Sequence, residues 1–479
     1  MENALRKLKS AYTKLFANYY AIFLFAIIIL LVPSLIRGFD LHGPESYFYY
    51  RITNFILENN IPNYDFLSFG GRAFLYSLGS PMFLVLANLA FKMGVVNMLV
   101  IIPTILGFLS LVLFYLILRK FNASKNTLSF SCYLLVLSPA FIYSFIHFTS
   151  FTIPLFFNLL GFYFIINRKR LFNYLAFPVY LALPFFGFIH IFFGLTLLFF
   201  YFYHDGETKK FIPYSAILLL VLYINNHFVS FGVDVAKHRF YEYFFILGVE
   251  YGLSIFLIIL SFFGLMSLWS RKYRNSIYYV FLLFNIFMLF LNIKYLIYVC
   301  LIFSVLGAYG LKYLYNLKWS SFLVRDLTLV ILIGGVLFSG MMFISENLQR
   351  DPNQNLYNAL VYIGENTDLR EIILSHEKYG IYINSVSMRK NFIDINKDYA
   401  PRSDLRYYYL DKIFYSRDLT SLLNIFKEFK INHILITPEM KNGLVWSGKN
   451  QGLLYLINNN QEYFNLLYNE NGVEVWRIL

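Results

Sequence analysis

The sequence predicts an α-helical polytopic membrane protein of about eleven transmembrane helices, followed by a small α/β soluble domain at the C-terminal end. Three observations predict it: the composition, the length of the apolar runs, and an abrupt change after Pro352. Of 479 residues, 58% are hydrophobic, 21% aromatic and only 14% charged, far from the soluble norm of roughly 25% charged. Runs at 20–36, 96–118 and 244–268 are free of charge pairs and reach the roughly 17–25 residues needed to cross a hydrocarbon core. The solvent for most of this chain is lipid.

The first apolar run follows Arg6, Lys7, Lys9 and Lys14. It is too long for a signal-peptide core and lacks a small-residue cleavage pattern, so it reads as an uncleaved signal anchor. Further spans are expected at 96–118, 128–146, 151–167, 172–187, 189–203, 211–230, 244–268, 276–292, 295–314 and 325–345, after a first at 18–37. Orientation follows from the cations. With the N-terminus cytoplasmic, the loops on that side hold Arg119/Lys120/Lys125, Arg168/Lys169/Arg170, Lys209/Lys210, Arg271/Lys272/Arg274 and Lys312/Lys318/Arg325, as the positive-inside rule requires. The rule holds for every loop if residues 80–93, apolar but short, lie along the membrane surface. The chain then divides into a membrane module, 1–350, with 38–95 as its first external loop bearing surface helices, and an external soluble domain, 351–479.

Residues 352–479 carry 14 Lys/Arg and 14 Asp/Glu, so the formal charge of +13 belongs to the membrane part. The basic balance reflects topology in a cell membrane and gives no reason to expect a nucleic-acid partner. Short strands are expected at 372–375, 433–437, 464–468 and 473–478, and helices at 355–365, 419–429 and 451–458. Asn469-Glu470-Asn471-Gly472 between the last two strands is a hairpin signal. The two cysteines, Cys132 and Cys300, fall in membrane spans. They provide neither a disulfide framework nor a thiolate metal site.

Ionisable groups in a membrane segment are costly, so their positions are informative. His147, His190, His227, Glu242, Glu250 and Lys294 all fall at or near the external ends of spans, which points to a polar cavity opening outward. The first loop is the richest stretch. Pro44 suits a helix start, and Phe48, Ile52, Phe55 and Ile56 then share one apolar face, as in an amphipathic helix lying in the interface. That helix carries Glu45 at its N-terminus, with Asp40 nearby. A carboxylate fixed there can act as a general base toward an acceptor hydroxyl or amine, or simply complement the helix dipole.

The order of these features resembles the membrane-embedded glycosyltransferases of the GT-C class: oligosaccharyltransferase catalytic subunits, protein mannosyltransferases and aminoarabinose transferases. Glu45-Ser46-Tyr47-Phe48-Tyr49-Tyr50-Arg51 resembles the acid, aromatic, aromatic, arginine motif after the first span of that class. Asp65-Phe66-Leu67-Ser68-Phe69-Gly70-Gly71-Arg72 is similar to the loop before its surface helix. Leu137-Ser138-Pro139-Ala140-Phe141 is similar to an element at the end of the third span, and Asn292-Ile293-Lys294-Tyr295 to a basic-aromatic pair opening a late one. The resemblance implies a glycosyltransferase of hexosyltransferase type that moves a sugar from a polyprenyl-phosphate donor to a lipid, glycan or protein acceptor. It implies Glu45, or Asp40, as the catalytic acid/base and Lys294 on the donor phosphate, with Arg51 and Arg72 as further candidates for that contact. Glu242 and Glu250, with His147 and His190, are candidates to bind substrate, the two glutamates also to orient a metal.

The departures narrow this expectation. The loop after the third span reads Ile146-His147-Phe148-Thr149-Ser150, without the second acidic motif of oligosaccharyltransferases, so a divalent metal cofactor is not implied. Their tryptophan-rich motif has only a distant counterpart in Val445-Trp446-Ser447-Gly448, which argues against transfer of an oligosaccharide to asparagine. The rival classes are a flippase or transporter for a lipid-linked substrate and an inactive scaffold. Transporters place charges at the midplane, often in two related halves; this sequence shows neither.

Overall fold

A computed structural model describes residues 19–59, 61–204, 214–216, 218, 252–269, 276–292, 295–397, 400–448 and 450–479. The chain forms two compact units. The first is helical, built from the segment ending at Asp40, from Ser77–Ser80 and from Asn97–Gln349. The second joins Leu41–Tyr76 and Pro81–Val96 to Arg350–Leu479. The first loop thus clusters with the C-terminal residues, a grouping the sequence-based division at residue 350 does not contain.

Helices of the first unit follow the apolar runs: Tyr19–Ile36, Val95–Lys120, Thr152–Ile166, Arg170–Ala182, Phe188–His204, Ile255–Trp269, Ser276–Leu291, Leu296–Asn316 and Phe322–Glu346. Among the described residues, three helices are long and apolar enough to cross a membrane, or four if one bent pair counts as a single span. The expected span at 211–230 lies outside the described residues except for 214–216 and 218. The expected continuous span at 128–146 is instead two helices, Lys125–Val136 and Pro139–Ile146, meeting at 62°. Its cause is local. Pro139 starts the second helix, Ser138 is its extended N-cap, and a proline's missing N–H and fixed φ suit a first helical turn. Cys300 Sγ, 2.8 Å from Ser138 Oγ, closes on the bend.

Small residues set the tightest helix contact. A Cβ added to Gly310 would stand 1.9 Å from the Leu260 carbonyl oxygen, and one on Gly264 would stand 2.0 Å from that of Leu306. The Ile255–Trp269 and Leu296–Asn316 helices therefore touch backbone to backbone, the arrangement that favours helix pairing where lipid removes the hydrophobic drive. Ser261 Oγ adds a hydrogen bond to the Phe303 carbonyl, 2.9 Å. Gly310→Ala is expected to destabilise the protein by roughly 1–3 kcal/mol or more through overpacking. Gly334→Ala, where an added Cβ meets nothing within 4 Å, should be neutral or mildly stabilising. Thermal unfolding in detergent measures both, and equal behaviour of the two variants contradicts the close contact.

In the second unit, strands β1 (Tyr64–Asp65) and β2 (Arg72–Ala73) form a small antiparallel pair. A five-stranded mixed sheet uses β3 (Ile372–Leu374), β4 (Lys390–Asn391), β5 (Ile431–Ile436), β6 (Phe464–Glu470) and β7 (Val473–Ile478), in the order β4-β3-β5-β7-β6. Strand β3 is parallel to β4 and β5, whereas β7 is antiparallel to β5 and β6. Asn471 and Gly472 turn the β6–β7 hairpin with φ of 50° and 85°, the positive values a tight twisted hairpin requires. Helices Gln354–Asn366, Leu419–Phe429 and Gly452–Asn459 lie where apolar periodicity places them. Asp418 caps the second, its side chain accepting from the Thr420 and Ser421 N–H groups.

Candidate functional site

The helix Pro44–Asn59 begins where Pro44 fixes φ and Gly43 supplies a positive φ of 79°. Its start is tied to a residue some three hundred positions away. Gly43 N–H donates to the Asp351 carbonyl, 3.0 Å, and the Asp351 N–H donates to His42 Nδ1, 3.2 Å. The Tyr382 hydroxyl donates to the Asp351 carboxylate, 2.7 Å, and the Tyr382 ring meets Tyr47 edge-on at 5.2 Å. Burial raises the Asp351 carboxyl above its ordinary value, against the opposing pull of the Tyr382 hydrogen bond. Within this frame Glu45 occupies the first helical turn and is buried, 8% exposed.

The Pro44–Asn59 helix is covered on more than its apolar face. Of the expected apolar face, Phe48, Ile52 and Ile56 are buried and Phe55 is half-buried, and Tyr47, Tyr49, Arg51 and Thr53 are buried as well. Tyr382 covers one side, and the loop that follows the helix covers Arg51. Both terminal nitrogens of the Arg51 guanidinium donate to the Asp65 carboxylate, each at 2.7 Å. Burial alone would raise the Asp65 carboxyl; the adjacent guanidinium and the N–H groups of Leu67 and Ser68 hold it down at about 2. The Arg51 pKa moves up, because Asp65 outweighs the burial that would lower it.

The loop after Asp65 is fastened to residues 380–396. Ser68 Oγ donates to Asp394, 2.8 Å, and the Phe69 N–H to Asn391 Oδ1, 2.7 Å. The Asn391 N–H donates to the Leu67 carbonyl, 3.0 Å. Asn391 Nδ2 reaches Asp394, 2.8 Å, and the Gly380 carbonyl, 2.9 Å. Arg72 donates to the Asn396 carbonyl, 2.6 Å, and to the Tyr76 hydroxyl, and lies over the Tyr76 ring at 4.5 Å. Burial, reinforced by the Asp394 and Asp65 carboxylates, pushes the Tyr76 phenol up. Arg51 and Arg72, candidates for donor phosphate, are thus engaged in holding this loop.

Of the remaining candidates, Asp40, His147 and His190 fall among the described residues. Asp40 is half-buried and belongs to the helical unit, one residue before the second unit begins. His147 ends the Pro139–Ile146 helix in extended backbone, its ring 4.5 Å from that of Tyr143. His190, in the first turn of Phe188–His204, is 2.6 Å through Nδ1 from the Tyr298 hydroxyl. Its carbonyl accepts from Asn158, 3.1 Å. Glu242, Glu250, Lys294 and His227 lie outside the described residues. Among the described residues no three His, Cys, Asp or Glu side chains gather as a metal site. Asp351, Tyr382, Asn391 and Asp394 were not singled out from sequence, because nothing local marks a residue whose partner is hundreds of positions away.

In fold the chain resembles solved structures at low sequence identity. It is similar to the oligosaccharyltransferase AglB of Archaeoglobus fulgidus, solved with an inhibitory peptide and a dolichol-phosphate, at 12% identity and a TM-score of 0.56, covering 95% of this chain and 74% of that one. It is likewise similar to ArnT of Cupriavidus metallidurans bound to undecaprenyl phosphate, at 10% identity and a TM-score of 0.51, covering 95% and 97%. The same ArnT in its apo state matches at 11% identity and a TM-score of 0.51, covering 98% of each chain. No protein-family model matches the chain, and no curated protein matches its sequence.

Proposed function

We propose that this protein is a multi-pass membrane glycosyltransferase that moves one sugar from a polyprenyl-phosphate carrier to a lipid, glycan or protein acceptor on the extracytoplasmic face. The chain crosses the membrane about eleven times, N-terminus cytoplasmic. The observation that carries the reading is Glu45, a buried carboxylate in the first turn of a helix whose start is clamped by Asp351. It stands in a fold shared with proteins solved holding dolichol-phosphate and undecaprenyl phosphate. A helix N-terminus favours negative charge, and a carboxylate held in one geometry is what a general base needs.

The reaction is a single displacement at the anomeric carbon. The acceptor heteroatom attacks that carbon while Glu45 takes its proton. The bond from the anomeric carbon to the phosphate oxygen breaks, and the polyprenyl phosphate leaves with the electron pair. Lys294 supports the departing phosphate as a point charge. Membranes containing the wild-type chain are expected to transfer radiolabelled sugar from a polyprenyl-phosphate donor. Lys294→Ala is expected to lower kcat/KM for that donor about tenfold or more. Absence of transfer from every polyprenyl-phosphate sugar tested would sink the reading.

A further inference from the structure

A cavity of about 810 Å³ opens within the helical unit, lined from the helices Val95–Lys120, Thr152–Ile166, Phe188–His204, Ile255–Trp269, Ser276–Leu291 and Leu296–Asn316. That volume falls in the roughly 300–1,000 Å³ range of ligand pockets. Its wall is aromatic: Phe121 packs on Phe162 and Phe200, at 6.3 and 6.2 Å, and Phe200 meets Tyr278 and Phe281 at 5.2 and 5.0 Å. Leu159, Leu197 and Leu301 add aliphatic lining. Two cations, Lys120 and Lys312, also line it, and both are exposed. The Tyr279 hydroxyl lines it too, buried and with no hydrogen-bond partner among the described residues.

An apolar volume between membrane helices is filled by something that shares the bilayer's chemistry. A neutral lipid would leave two lysines and a tyrosine hydroxyl without a counterpart, and a small soluble anion would gain nothing from the aromatic wall. One molecule with an acyl chain and a phosphate uses both halves. Lysines at the ends of membrane helices commonly snorkel toward headgroups, and basic pockets between such helices hold anionic lipid headgroups. Lys120 also offsets the negative end of the Val95–Lys120 helix, whose last residue it is.

We propose that this cavity binds one anionic membrane phospholipid, its acyl chain along the aromatic wall and its phosphate held by Lys120 and Lys312. The proposal does not depend on the transfer reaction. Native mass spectrometry of the full chain in detergent tests it, with palmitoyl-oleoyl phosphatidylglycerol offered against phosphatidylcholine of the same chains. Wild type is expected to retain the glycerol lipid in roughly tenfold or greater preference. Lys120→Gln combined with Lys312→Gln should abolish that preference, whereas the double arginine substitution keeps it. Leu197→Trp, which fills the cavity, should lower retention of both lipids. Equal retention of the two lipids by wild type overturns the proposal, as does a preference that survives the double glutamine substitution. Displacement of the lipid by inorganic phosphate at the same concentration would make this a free-anion site and overturn it as well.

Discussion

Glu45→Gln is expected to reduce the rate of sugar transfer by about 10²–10⁴-fold, the usual contribution of a positioned general base, with little change in donor KM. Glutamine preserves the size of the side chain and its capacity to accept a hydrogen bond through one oxygen. It cannot take the acceptor proton. The clamp at the helix start runs from His42 and Gly43 to Asp351, with Tyr382 behind. Thermal unfolding of the variant beside wild type separates a chemical defect from a folding defect.

Asp40→Asn is the necessary companion. Asp40 lies five positions before Glu45, in irregular chain after the Tyr19–Ile36 helix, whereas Glu45 sits on a formed helix with fixed neighbours. A base must hold its geometry through the reaction, so Asp40→Asn is expected to keep most of the activity. Initial rates measured at equal expression decide the matter. Loss with Asp40→Asn and retention with Glu45→Gln would move the base to Asp40, and full activity in both would remove both carboxylates from the chemistry.

What the sequence made legible was local. Pro44 with the apolar spacing of Phe48, Ile52 and Ile56 marked a helix, and Asn471-Gly472 marked a hairpin, because caps and turns are written in a few adjacent residues. Hydropathy placed the long helices but passed over the break at Ser138-Pro139, since the residues on both sides are equally apolar. The Ser403–Tyr415 helix went unseen for the opposite reason: its tyrosines and charges give no apolar period. Glu45 was nominated from its place on a helix. Its support was beyond reach, because His42 meets Asp351 across 309 positions and Ser68 meets Asp394 across 326. For the same reason Arg51 and Arg72 read as free cations suited to phosphate, when each has a partner brought to it by the fold.

Asp65→Asn is expected to destabilise the second unit by about 3–5 kcal/mol, the cost of leaving a buried charge without its partner. Arg51 is 8% exposed, and its two terminal nitrogens both end on Asp65. With the carboxylate gone, the guanidinium stays charged and unmatched. Arg51→Leu in the Asp65→Asn background should recover part of the loss, because it removes the orphaned charge. The pH dependence has a definite sign. The Asp65 carboxyl is held down at about 2 in the folded chain, below its ordinary value of about 4. Its contribution is therefore complete above that ordinary value and lost as pH falls through about 2. Thermal unfolding between about pH 5 and pH 2 should show this loss in wild type and a smaller one in Asp65→Asn. Limited proteolysis reads the same event locally: cleavage within 61–76 should rise in Asp65→Asn at neutral pH, since the N–H groups of Leu67 and Ser68 lose their ionised acceptor. Unchanged cleavage and unchanged melting would show that the contacts of Asn391 and Asp394 hold the loop without the ion pair.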